Sequence, residues 1–379
     1  MKKILLGTTA MMTAGLVATG AQAAEWEVGL SGYYTGMAVF ADEDPTPNPD
    51  IEDVQFKQEG ELAIDPSIML DNGLKIGASF NLELTNNDGT KNGGNTFDET
   101  FLYVEGSFGR VELGENGSAP FQMHISAPYF VGSHGVDSPN FQHARRIGAA
   151  RTSSYITISG DTAKLTYFSP NFSGFQLGVS YTPERLNGDV GGQATGSKGA
   201  AFGLIQSAVD HFEDTIEIGA TYAGEFEGVS VGVSGGYATA DVTDGSGAGL
   251  DDPEAWSAGL SLGAAGFTLA GGYYSSDDLI GFAAANTDNE EKAYSVGLQY
   301  ETGPWRVGVA YFNAERDFSG VAGSVNAEFE VVELGVNKNL GSGVDVFAVV
   351  ELYEDDANGS AAGQERETDA FGIGLDLAF

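Results

Sequence analysis

Apolar side chains fall on every second position over most of this chain. The cleanest stretch is 74–84, where Leu74, Ile76, Ala78, Phe80, Leu82 and Leu84 alternate with Lys75, Gly77, Ser79, Asn81 and Glu83. A repeat of two separates the faces of a β-strand, because successive side chains there point in opposite directions. The pattern predicts sixteen strands, at 26–40, 56–68, 74–84, 102–104, 111–113, 165–167, 175–181, 216–226, 229–237, 256–262, 267–273, 294–300, 305–311, 332–336, 344–352 and 369–379. Short glycine-bearing links such as Asp71-Asn72-Gly73, Glu227-Gly228 and Gly341-Ser342-Gly343 read as hairpin turns. They alternate with longer polar segments at 41–51, 85–96, 116–150, 183–213, 238–254, 276–290, 314–327 and 354–367.

Seven short turns and eight long loops joining an even number of half-apolar strands predict an all-β fold. It is a 16-stranded antiparallel transmembrane β-barrel with short periplasmic turns and long outer loops. Several apolar faces end in aromatic residues, Phe175 with Tyr181, Phe267 with Tyr273 and Trp305 with Tyr311, as girdles at the two membrane interfaces do. A soluble sandwich would need one core shared by sixteen strands, and its last strand would be an exposed apolar edge. Composition agrees with the barrel. Glycine accounts for 55 of 379 residues with only 11 prolines, which excludes collagen and disordered linkers. Cysteine is absent, so stability must come from hydrogen-bonded ladders and burial. A net charge of −37 disfavours nucleic acid as a partner, and such charge fits long outer loops and a wet lumen.

The amino-terminal residues suggest export. Met1-Lys2-Lys3 is a basic start, 4–19 is apolar and rich in Ala and Gly, and Ala21-Gln22-Ala23 has the small-x-small form of a signal-peptidase site. The expectation is a cleaved signal peptide over 1–23 and a single barrel domain over 24–379. No later stretch approaches the roughly 20 apolar residues of a spanning helix. The final strand, with Phe371 and the terminal Phe379, resembles the carboxy-terminal signal that barrel-assembly machinery reads in Gram-negative outer-membrane barrels.

Three further stretches make the chain similar to general diffusion porins of the alphaproteobacterial type. They are the run from Tyr103 through Gly106 and Arg110 to Gly114, the run from Leu165 through Pro170-Asn171-Phe172-Ser173-Gly174 to Pro183, and the terminal Phe379. The resemblance covers the whole mature chain. It implies an outer-membrane homotrimer in contact with lipid and lipopolysaccharide, and a third long loop folded inward to narrow a water-filled channel. The residues of 116–150 support an inward loop independently. Phe121, Met123, Ile125, Tyr129, Phe130, Val131 and Phe141 need something to pack against.

Candidate chemistry gathers near that loop. Parity turns Lys57, Lys75, Arg110 and Lys164 to the lumen, and Arg145, Arg146 and Arg151 lie at the end of the loop, with Glu115 and Asp137 as its acids. In the resembled family a basic wall faces acids on the loop. Here cations outnumber acids on the loop, so the arginines either filter ions or pin the loop to wall acids such as Glu59, Glu61, Glu83 or Glu105. Acidic mouths enrich cations while local cations do the reverse, and screening over about 8–10 Å favours the local charges. The expected function is passive diffusion of ions and small hydrophilic solutes with weak ion selectivity.

Other readings need features that are sparse here. A substrate-specific channel would need an aromatic track, but Tyr33, Phe101, Tyr103, Phe168 and Phe312 are scattered. An outer-membrane hydrolase would need a Ser–His pair near the rim, whereas His124, His134 and His143 fall in the loop beside Ser126 and Ser133. A structural or receptor barrel is the remaining alternative. No cofactor is expected. Calcium at acid clusters such as Asp42-Glu43-Asp44, Glu52-Asp53, Asp251-Asp252 and Glu354-Asp355-Asp356 is the one candidate, without a spaced calcium-loop motif.

Overall fold

The computed structural model describes residues 25–43, 52–85, 97–132, 135–138, 150–186, 211–243, 251–278, 289–320, 323–358 and 364–379. The first strands are β1 (Trp26–Glu43), β2 (Val54–Met69), β3 (Lys75–Thr85), β4 (Phe97–Gly106) and β5 (Gly109–Glu115). A four-residue helix, α1 (Ala119–Gln122), precedes β6 (Ala163–Phe168), β7 (Phe175–Leu186), β8 (His211–Phe226), β9 (Val229–Thr243) and β10 (Glu254–Ala264). The chain continues through β11 (Phe267–Asp277), β12 (Asn289–Thr302), β13 (Trp305–Gly320), β14 (Gly323–Gly341), β15 (Val344–Asn358) and β16 (Gln364–Ala378). Each strand pairs with the next in sequence, and β16 returns to β1, so the sheet is a closed sixteen-stranded antiparallel barrel. No helix among the described residues is long and apolar enough to cross a membrane, which says nothing of strands.

Closure brings Tyr33 opposite Ala378 and Phe40 opposite Phe371. The main chains of Gly32 and Phe379 exchange hydrogen bonds of 2.9 and 3.0 Å, so the ladder continues to the last residue. Register sorts the two faces as the alternation predicts. Pairs such as Leu102 with Leu113 and Leu269 with Leu298 fall on the outer face, where all four are exposed. The other face turns inward, and there Phe312, Phe329 and Phe347 are fully buried. Aromatic rings gather at both ends of the outer face. Phe175 meets Tyr222 at 4.5 Å and Phe267 meets Tyr300 at 4.4 Å near the short turns, while Tyr237 meets Trp256 at 4.3 Å near the long loops.

Glycine closes turns where no side chain fits. Gly109 has φ 108° and Gly343 has φ 74°, and a Cβ at either would overlap a carbonyl of the neighbouring strand, Phe168 or Ala378. Two loop expectations are corrected. Most of 314–327 is strand, since β13 runs to Gly320 and β14 starts at Gly323 with those two residues paired. Most of 354–367 is also strand, as β15 runs to Asn358 and β16 begins at Gln364. Beyond the apolar band the outward positions of these strands are charged, as at Glu315, Glu328, Glu354 and Glu367, while inward ones such as Asp355 and Arg366 are buried. The ladder continues there while the hydrophobic alternation that would reveal it disappears.

Candidate functional site

Between β5 and β6 the chain turns into the barrel and runs around the inner wall. The amide of Ala119 donates to Ser180 Oγ on β7 at 2.8 Å, that of Ile125 to Ser234 Oγ on β9 at 3.0 Å, and that of Ala127 to Ser295 Oγ on β12 at 3.0 Å. The wall makes room by omitting side chains. Gly178, Gly219, Gly236, Gly259, Gly272, Gly297, Gly308 and Gly335 contribute one inward position from each of β7 to β14, and a Cβ at any of them would press on the segment 119–131 or its neighbours. At Gly219 it would lie 3.0 Å from Pro120, at Gly297 2.8 Å from Pro128, and at Gly308 2.5 Å from the Phe130 ring. Phe130 and Val131 are thereby fully buried, in one apolar cluster with Phe312, Phe329, Val331 and Phe347 of the wall.

The returning limb, from Ala150 to Ile158, is held by charge. Arg151 pairs with Glu291 of β12 at 3.2 Å and lies 3.5 Å over the Tyr274 ring of β11. It also donates to the carbonyls of Ser153 and Tyr155, each at 2.7 Å. A planar guanidinium can serve all of these at once, where an ammonium cannot. Between the two limbs lies a buried polar knot. Ser154 Oγ donates to Asp137 at 2.8 Å and shares a 2.9 Å hydrogen bond with Ser295. The His124 ring stacks on Tyr155 at 3.9 Å, and its Nδ1 meets the Phe121 carbonyl. Burial pushes the Asp137 carboxyl above the usual range, and the hydrogen bond from Ser154 counters it. Burial pushes the His124 imidazole below its usual range, partly opposed by the Phe121 carbonyl and the charge of Asp137.

The start of the loop is tied to the short-turn end. Arg110 pairs with Glu112 at 2.6 Å, and the second oxygen of Glu112 accepts from Asn116 at 2.5 Å and Gln122 at 3.1 Å. Lys164 is fully buried, and its ammonium donates to the carbonyls of Asn116 and Gly160, closing the two ends of the loop on each other.

The predicted residues therefore do not form one cluster. Arg110 and Lys75 share the Tyr103 ring, at 3.9 and 5.8 Å, near the short turns. Lys57 lies near the other end of β2 and feels the charge of Glu351 on β15. Asp137, Arg151 and Lys164 belong to the loop's anchorage. The wall acid that meets Arg151 is Glu291, not Glu59, Glu61, Glu83 or Glu105. Glu115 is a correction. It sits opposite Thr100 on the face shared by Leu102 and Leu113, so it points outward and away from the lumen. Arg145, Arg146, His134, His143, Ser133 and Phe141 lie outside the described residues. Of the scattered aromatics, Tyr103, Phe168 and Phe312 are buried in packing. Sequence reading missed the eight inward glycines, Glu291 and Tyr274. The usable signal was glycine at inward parity on consecutive strands, where a barrel normally carries polar side chains. No group of three or more His, Cys, Asp or Glu among the described residues could hold a metal ion.

A Gram-negative porin family profile matches residues 7–358. No curated protein matches the chain. Among solved structures, OmpT, an outer membrane protein of Vibrio cholerae, aligns with a TM-score of 0.61 at 13% identity, over 96% of this chain and 100% of that one. An anion-selective porin from Comamonas acidovorans aligns with a TM-score of 0.57 at 17% identity, over 94% and 100%. The Salmonella typhi OmpF complex with daunomycin gives 0.58 at 16%, over 93% and 97%. The chain belongs to the Gram-negative porin family and is an outer-membrane channel.

Proposed function

We propose that this porin passes ions and small hydrophilic solutes by passive diffusion, with weak ion selectivity, through a channel narrowed by the loop 116–150. The observation that supports this most is the glycine track, which seats 119–131 against the inner wall from β7 to β14. A loop fixed there occupies part of the cross-section without plugging it with a folded domain. The remaining water-filled space is bounded on the far side by the charged wall of β1 to β5, with Lys57, Lys75 and Arg110 among acids that include Glu59, Glu61 and Glu83. Mixed signs at short range favour weak selectivity. Arg151, Lys164 and Asp137 act mainly by holding the loop, and Arg145 and Arg146 are assigned to the same region by sequence.

The reading extends to a homotrimer of the alphaproteobacterial type, as OmpT of Vibrio cholerae has been described in a trimer form. It also includes a cleaved signal over 1–23, recognition of Phe371 and Phe379 by the barrel-assembly machinery, contact with lipopolysaccharide, and neither enzymatic activity nor a required cofactor. Conductance in a planar bilayer tests the core of it. Large ohmic steps closing in threes, with a reversal potential of a few millivolts in a salt gradient, are expected. Silent, folded protein would overturn open diffusion, and a near-ideal reversal potential would overturn weak selectivity.

A further inference from the structure

The loop turns an aromatic patch toward the charged wall. Ala119 and Pro120 of α1 are buried against β7 and β8, which leaves the half-buried Phe121 on the channel side. Its ring meets Tyr155 edge-on at 5.5 Å and His124 at 5.7 Å, and His124 in turn stacks on Tyr155. Three rings from the two limbs of the loop thus make one small apolar surface. Burial holds the His124 imidazole below its usual pKa, so this surface carries no positive charge of its own at neutral pH.

A carboxylate stands beside the rings, and one glycine joins the two. Gly117 donates its amide to Glu99 Oε1 of β4 at 3.0 Å, and a Cβ on Gly117 would lie 2.4 Å from the Phe121 ring. Ring and carboxylate therefore flank the same residue. The other oxygen of Glu99 accepts from Asn81 of β3 at 2.8 Å, so both of its donors are neutral. Glu99 also feels the charges of Asp161 and Glu61. Both Glu99 and Glu61 are half-buried, and among the described residues neither makes an ion pair. Lys164, at the base of the loop, gives its ammonium to the carbonyls of Asn116 and Gly160.

We infer that Phe121 and Glu99 form a recognition point for organic ammonium ions, amines whose charged head meets the carboxylates while an apolar body lies on the rings. This deepens the diffusion reading above and rests on it. Carboxylates gathered at short range repel one another, and a cation among them relieves the repulsion. An ammonium gains further from an aromatic face beside it. A bare metal ion fits less well, since no group of three or more His, Cys, Asp or Glu among the described residues could hold one. Potassium and chloride make no use of the rings, so the weak selectivity proposed for them is unaffected.

The test records block of the potassium chloride current through the full-length protein in a planar bilayer, with benzylammonium as the probe. The controls are benzyl alcohol, which lacks the charge, phenylacetate, which reverses it, ethylammonium, which lacks the ring, and maltose. Benzylammonium should block at the lowest concentration of all. Glu99→Gln, whose amide oxygen can still accept from Gly117, should raise the half-blocking concentration of benzylammonium about tenfold. Phe121→Leu should raise it about threefold and leave the block by ethylammonium where it was. Heat modifiability shows that each variant is a folded barrel, and if one is not, the other decides. A half-blocking concentration that the folded variants do not alter would overturn the assignment to these residues. Stronger block by benzyl alcohol or maltose would overturn the ammonium class in favour of a neutral solute, and stronger block by phenylacetate would overturn its sign. Absence of current in potassium chloride alone would overturn open diffusion itself, a result read before any probe is added.

Discussion

The two halves of the inner wall are built on opposite plans. From β7 to β14 the wall lowers itself to glycine and serine where the loop passes, and a loop of its own chain fills the space. From β1 to β5 the inward positions keep long charged side chains, among them Lys57, Glu59, Glu61, Lys75, Glu83, Glu99 and Arg110. Around Phe130 and Ile156 the first half is a buried apolar cluster, whereas the second carries charged side chains at its inward positions. One wall positions the loop, and on the function proposed above the other filters ions. A substitution on the first half should therefore change the shape of the pore, and one on the second should change its charge.

The largest effect that could break this division is at Arg151. Arg151→Ala leaves the buried Glu291 carboxylate without its guanidinium, a loss of about 3–5 kcal/mol. The expected outcome is a displaced returning limb, read as noisy, enlarged conductance and new chymotryptic cleavage at Phe130, which is otherwise fully buried. Unchanged conductance and resistance to protease would show that charge does not hold that limb.

Gly335→Leu attacks the other limb. Its Cβ alone would overlap Val131, and overpacking of this kind costs about 1–3 kcal/mol. Cleavage at Phe130 should rise here too, while the reversal potential stays within a few millivolts of the wild type. A large reversal shift would mean that the seated loop itself sets selectivity. Ser295→Ala removes the acceptor of the Ala127 amide and a partner of Ser154, about 1–3 kcal/mol for the orphaned groups. Ser234→Ala should cost less, since only the Ile125 amide loses its partner.

Acid sharpens the comparison further. Burial lowers the His124 pKa, so the docked loop holds this ring neutral. The undocked ring binds its proton with the usual pKa of about 6.5. Docking is therefore at full strength above that value and weakens as pH falls through it toward the depressed value. Asp137 has the opposite sign, its raised pKa weakening docking as pH rises rather than as it falls. Hydrogen exchange of the Ile125 and Ala127 amides, corrected for intrinsic rates, should quicken between pH 7 and pH 5. His124→Gln should flatten that rise, and a rise that persists in the variant would place the titration elsewhere. The smallest change belongs to the other wall. Glu61→Gln should shift the reversal potential toward anions by a few millivolts and leave amide exchange of the loop untouched.

Much of the barrel was legible because it is written locally. The strand at 74–84 announces itself within eleven residues, and turns such as Glu227-Gly228 carry their own punctuation. The extensions of β13, β14, β15 and β16 beyond the apolar band were not legible, because charged residues such as Glu315, Glu328, Glu354 and Glu367 take the outward positions there, which removes the alternation while the hydrogen bonds continue. The site was legible only in outline. The apolar content of 116–150 pointed inward, and Arg151 was recognised as an anchor or a filter. Its partners Glu291 and Tyr274 stand more than a hundred positions away. Glu115 was misplaced because it closes β5 on the outer face instead of opening the loop.

By itself the sequence determined what depends on short-range geometry: strand number, which side chains share a face, and which links are tight. These follow from the pleat of a single strand, in which direction alternates whatever the neighbours do. Tertiary structure alone decided which glycines matter and which charges meet. Eight glycines scattered from 178 to 335 become one track only when eight neighbouring strands present them to the same loop segment. Each is locally an unremarkable gap, and the loop that fills them comes from elsewhere in the chain. Packing complementarity of that kind belongs to no segment of the sequence.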